Sequence, residues 1–168
     1  GETAENLAFR PVSTHLLPHY KDGLFELAFP EIVNYVDATF NTIPDKAHRA
    51  IAGLSMGGMH TLMITANYPE MFNYIGLYSA GVDFSHLNME EVPAYANLDA
   101  KLTKLAQGNP KLYWIACGNE DWLLPANKRL MERMDKDGLK YTFHESPRGH
   151  LWCNWRQYSL LFIPQLFK

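Results

Sequence analysis

Cysteine is scarce in this 168-residue sequence, with Cys117 and Cys153 the only two. Two thiols support neither a disulfide framework nor a zinc site by themselves, and they leave the redox compartment open. No apolar run approaches the ~20 residues needed to span a bilayer. Charge of one sign is also missing. Fifteen Lys and Arg are scattered against eighteen Asp and Glu, for a net charge of −3. This excludes a polybasic surface for nucleic acid or for anionic lipid. The first five residues, Gly1-Glu2-Thr3-Ala4-Glu5, are acidic and polar and do not read as a secretion leader. There is no internal repeat, low-complexity tract or long linker. What is present is a core composition, 47% hydrophobic and 13% aromatic. That much apolar material is enough for one folded domain, 1–168, that buries roughly 70% of its unfolded surface.

Residues 1–23 read as irregular, partly extended chain broken by Pro11, Pro18 and Gly23. Beyond them strand and helix alternate. The pattern predicts helices over 30–41, 59–68, 98–105, 126–137 and 155–167, the last disturbed by Pro164. It predicts strands over 49–54, 74–79, 111–117 and 141–145. Gly138 suits the end of the fourth helix, and 82–98 is either a lid or an ordinary connection. Such alternation predicts a parallel sheet with helices on both faces. Reactive groups should then lie on the loops after residues 54, 79, 117 and 145, at the carboxyl ends of the strands.

The first of those loops carries Gly53-Leu54-Ser55-Met56-Gly57, extended by Gly58. G-x-S-x-G is weak alone and specific between a strand and a helix, where it forms a nucleophile elbow. Ser55 is the candidate nucleophile, and the Met56 backbone N–H the candidate oxyanion donor. A serine hydroxyl needs a base, and the base an orienting carboxylate. In this arrangement the chain order is Ser, acid, His. Glu120 and Asp121 follow the third predicted strand, and the shorter Asp121 at the loop bend is preferred. Of seven histidines, only His150 falls late and on a strand-end loop. His144 lies within a strand, His48 and His60 flank the elbow, and His15, His19 and His86 lie in early or connecting segments. Trp122, Trp152 and Trp155 lie near these residues, as stacking surfaces for substrate or as apolar fillers under the loops. Cys117 and Cys153 sit on the acid and histidine loops, as free thiols or as partners of one another. No metal-ligand spacing appears, and acyl transfer of this kind needs no cofactor.

The segments 49–58, Gly118-Asn119-Glu120-Asp121, and Gly149-His150 with Trp152 and Trp155-Arg156 resemble the esterase D-like group of α/β-hydrolases. The resemblance is nearest to the feruloyl and acetyl-xylan esterases of carbohydrate esterase family 1, over residues 24–168. It implies an α/β-hydrolase fold and a secreted or periplasmic enzyme that cleaves acyl groups from plant-cell-wall polysaccharide. It assigns Ser55 as nucleophile, Asp121 as orienter and His150 as base. In that family several more strands precede the elbow, and they include the turn that donates a second oxyanion N–H. Only 54 residues precede Ser55 here. The expectation is therefore the C-terminal catalytic portion of such a fold, with association with an N-terminal half or with a second copy open. Two other readings remain. One is a small-acyl or thioester hydrolase of the S-formylglutathione type. The other is a non-catalytic fragment that self-associates.

Overall fold

A computed structural model describes residues 22–85 and 88–168 of the protein. The expected irregular segment falls almost wholly outside the described residues, as do His15, His19 and His86.

Among the described residues, four strands form one parallel sheet in the order β1-β2-β3-β4. They are β1 (Ala50–Leu54), β2 (Tyr74–Tyr78), β3 (Leu112–Gly118) and β4 (Thr142–Ser146). In register, Leu54 lies beside Tyr78, Tyr78 beside Ala116, and Gly118 beside Ser146. The helices are α1 (Leu24–Thr39), α2 (Met56–Asn67), α3 (Leu98–Gln107), α4 (Leu124–Lys136) and α5 (Trp152–Phe162). This is the parallel sheet the alternation predicts, with each strand followed by a helix, and the α/β-hydrolase-like architecture the resemblance implies.

Strand side chains alternate between the two faces, so each face carries its own core. Ile75, Leu77, Tyr113 and Ile115 pack with Leu62 and Met63 of α2, Leu102 and Leu105 of α3, and Leu130 and Met134 of α4. On the opposite face Tyr74, Tyr78 and Trp114 pack with Trp155, Tyr158 and Phe162 of α5. The spacing i, i+3, i+7 of those α5 aromatics is a helical stripe. β1 is an edge strand among the described residues, half-buried along its length with Ala52 exposed.

Three helices differ from the sequence expectation by three residues or more at an end. α1 begins six residues before Pro30, from the left-handed Gly23 (φ 69°), and carries Pro30 inside it. The proline removes only one early backbone bond, while the turn ahead of it is tied down by a buried carboxylate, Glu26. α2 begins at Met56, directly after Ser55, with Gly57 and Gly58 in its first turn. α5 begins at Trp152 and ends at Phe162, where Pro164 turns the chain into a short 3-10 segment, Ile163–Gln165. The connection 82–98 contributes Val82, Ala94, Tyr95 and Leu98 to the core, so these residues anchor it.

Candidate active site

β1 passes into α2 through Ser55, whose backbone is strained (φ 53°, ψ −118°). The turn is possible because Gly53 lacks a side chain. A Cβ at Gly53 would run into the Gly57 carbonyl and come within 2.8 Å of Thr61 Oγ1. Neighbouring backbone holds the elbow in place: Ser55 N–H donates to Tyr78 O at 2.9 Å, and Gly81 N–H to Ser55 O at 2.7 Å. Met56 N–H is the first amide of α2, one of the four that helix geometry leaves without an internal acceptor.

The acid loop follows β3. Asp121 N–H donates to Gly118 O, and Leu123 N–H returns to Asp121 Oδ1 at 2.9 Å. The histidine loop follows β4. There the buried Asn154 donates its amide to both Pro147 O and Gly149 O at 3.0 Å, clamping the chain on either side of Arg148. Glu120 N–H donates to Arg148 O at 3.0 Å, which joins the two loops backbone to backbone.

The result is a continuous chain of contacts. His150 Nε2 lies 2.9 Å from Ser55 Oγ, and His150 Nδ1 lies 2.9 Å from Asp121 Oδ2 and 3.2 Å from Oδ1. Both the imidazole and the carboxylate are buried. Burial alone would raise the Asp121 carboxyl. Hydrogen bonds from His150 and the Leu123 N–H, with the Ser79 hydroxyl contributing, outweigh it and hold the group below the usual carboxylate range. A hydroxyl, an imidazole and an ionised carboxylate in line can activate the hydroxyl as a nucleophile.

The sequence profile of the putative esterase family matches residues 18–162. The chain belongs to that family. An endo-1,4-beta-xylanase/feruloyl esterase of Xylanibacter ruminicola is 55% identical over 139 residues, which cover 82% of this chain and 17% of the relative. An acetyl esterase of Caldicellulosiruptor saccharolyticus is 27% identical over 157 residues, covering 76% of this chain and 58% of the relative. Among solved structures, a substrate-bound fluorophosphonate-binding serine hydrolase of Staphylococcus aureus superposes with a TM-score of 0.71. It is 21% identical, with 83% of this chain and 62% of that one covered. The chain thus spans less than two thirds of each.

Within this esterase fold the three tryptophans divide. Trp122 is 71% exposed and its ring centre lies 5.4 Å from that of His150. Trp152 is half-exposed. Trp155 is buried in the α5 core and packs edge-on beneath the His150 ring at 4.8 Å. It is the filler of the sequence alternatives. Glu120 is exposed and its side chain has no role in the buried contact chain. Cys117 and Cys153 are both free thiols. Burial, with Asp121 nearby, pushes the Cys117 thiol up to about 12. Asn154, which clamps the histidine loop, carries no sequence signal of its own. Asn154 does sit inside the Gly-His-x-Trp-x-x-Trp segment, and that spacing is the only hint available.

Proposed function

We propose that this chain is the catalytic domain of a serine carboxylesterase that hydrolyses feruloyl or acetyl esters of plant-cell-wall xylan. The observation that carries the proposal is the in-line contact of Ser55, His150 and Asp121 on a strained elbow. Ser55 Oγ attacks the ester carbonyl while His150 Nε2 takes its proton, and Asp121 stabilises the imidazolium through Nδ1. The Met56 N–H, at the positive end of α2, donates to the oxyanion. As the tetrahedral species collapses, His150 returns the proton to the departing sugar hydroxyl. It then activates water to release the acid from Ser55.

The substrate class draws support from the xylanase/feruloyl esterase and acetyl esterase relatives. The exposed faces of Trp122 and Trp152 beside His150 suit an aromatic acyl group or a sugar ring. A polymeric substrate of this kind places the enzyme outside the cytoplasm, secreted or periplasmic. The test is turnover of p-nitrophenyl acetate, methyl ferulate, acetylated xylan and S-formylglutathione by the parent and by Ser55→Ala. Cleavage of ferulate or acetyl-xylan that disappears in Ser55→Ala is expected. Turnover of the thioester alone would overturn the cell-wall assignment, and activity surviving in Ser55→Ala would overturn the nucleophile.

A second reading, association through the sheet edge, is favoured by β1. Its outer edge has no partner strand among the described residues. Apolar side chains of α1 (Ile32, Val36) and α5 (Leu161) are exposed on the two helix layers. Light scattering across a concentration series distinguishes the two: a catalytically silent oligomer favours association, and an active monomer removes it.

A further inference from the structure

Beside the catalytic acid sits a group that the esterase mechanism leaves unused. Ser79 follows β2, which lies between the strand that ends in the nucleophile and the strand that leads to the acid. Its side chain is completely buried. Its backbone is left-handed (φ 45°), a conformation that glycine adopts freely and that strains any residue with a Cβ. Its hydroxyl has no hydrogen-bond partner of ordinary geometry among the described residues. A buried hydroxyl without a partner is costly, and such a group in a native fold calls for an explanation.

The surroundings supply one. Ser79 lies one residue beyond the Tyr78–Ala116 pair of the sheet, beside the end of β3, where Gly118 O accepts from Asp121 N–H at 3.1 Å, and its hydroxyl helps to keep the Asp121 carboxyl below its usual range. An ionised carboxylate has about four acceptor sites. Asp121 fills some of them with the Leu123 N–H and with His150 Nδ1. The turn that carries Ser79 also touches both halves of the site. Gly81 N–H holds Ser55 O at 2.7 Å, and Ala80 O accepts from Asn127 Nδ2 of the acid-side helix at 2.9 Å. Ser79 N–H donates to Ala116 O at 2.7 Å, which ties the turn to β3. The turn that carries the hydroxyl is therefore tied to the Ser55 elbow, to β3 and to the acid-side helix. A glycine there would relieve the strain but supply no donor.

We propose that Ser79 is a positioning residue, whose hydroxyl donates to the Asp121 carboxylate and keeps it aimed at His150 Nδ1. The proposal rests on the triad reading given above. Ser79→Gly removes the hydroxyl and relieves the backbone; Ser79→Ala removes the hydroxyl and keeps the strain. Both variants should lose about tenfold in kcat, the effect of one hydrogen bond to a charged group, with KM within about twofold of the parent. The loss should be coupled to the acid. In an Asp121→Asn background, adding Ser79→Ala should change kcat by less than about twofold.

Retention of parental kcat in both single variants overturns the proposal, and so does an undiminished loss in the Asp121→Asn background. Unimpaired turnover in Ser55→Ala or Asp121→Asn overturns the triad itself, a distinct result. The low-field proton resonance of His150 Nδ1 reads the same contact without any turnover. It should move in Ser79→Gly while the rest of the spectrum stays folded. An unmoved resonance overturns the proposal, and its absence from the parent overturns the triad.

Discussion

Removing His60 tests whether the nucleophile helix is locked to α1 by a buried charge. Glu26 of α1 is 0% exposed. Its Oε1 accepts from His60 Nδ1 of α2 at 2.7 Å and from Tyr95 Oη at 3.1 Å, while Oε2 has no partner among the described residues. Burial, then the Glu26 charge and hydrogen bond, raise the Tyr95 phenol, which stays a donor throughout the working pH range. In His60→Leu the carboxylate keeps its desolvation and loses its main partner. Breaking a buried pair from one side in this way costs about 3–5 kcal/mol. For a chain of this length each kcal/mol lowers Tm by about 2–4 °C, so a fall on the order of 10 °C is expected in thermal unfolding. Replacing both partners, Glu26→Leu with His60→Leu, removes the orphaned charge and should recover much of the loss. A His60→Leu variant within 1 °C of the parent, or a double variant as unstable as the sum of the singles, would show that this pair does not lock the two helices.

Further expectations follow from the site. Asp121 has a lowered pKa in the folded state, so its share of stability is complete above the unfolded carboxylate range near 3.9. That share is lost as pH falls through the lowered value, and acid titrations of the parent should therefore fall more steeply below about pH 4 than those of Asp121→Asn. With Cys117 buried and raised and Cys153 partly exposed, one thiol per chain should react with a disulfide reagent at pH 8, and two after denaturation. Asn154→Leu deletes two hydrogen bonds to the histidine loop, a stability loss of about 1–3 kcal/mol by urea unfolding. It should lower kcat more than it raises KM, because His150 loses its placement. Gly53→Ala sets a methyl against the Gly57 carbonyl and should yield little folded protein on expression.

The elements that could be read from the chain are those whose signal is local. Alternating apolar runs mark the four strands. The glycines around Ser55 mark the elbow, because a strand can enter a helix that tightly only where side chains are absent. Asp121 and His150 follow from topology, since a parallel sheet collects its loops at one end. The start of α1 was out of reach for the opposite reason. Glu26 looks like a surface residue until its partners arrive from 34 and 69 positions away in His60 and Tyr95. Ser79 and Asn154 are likewise single polar residues whose meaning is set by neighbours distant in sequence. Trp155 is the middle case. Its register with Tyr158 and Phe162 makes a core stripe, but its nearness to His150 in the chain leaves stacking on substrate equally open at the level of sequence.

The strand order has a metric consequence for the chemistry. Adjacent parallel strands lie roughly 4.8 Å apart, and Ser55 and Asp121 leave strands that are two spacings apart, with β2 between them. That interval must hold two hydrogen bonds of 2.9 Å and the breadth of an imidazole ring. The sheet therefore works as a ruler. Loops at its upper end carry the hydroxyl, the imidazole and the carboxylate, and the single intervening strand opens the gap that the histidine fills.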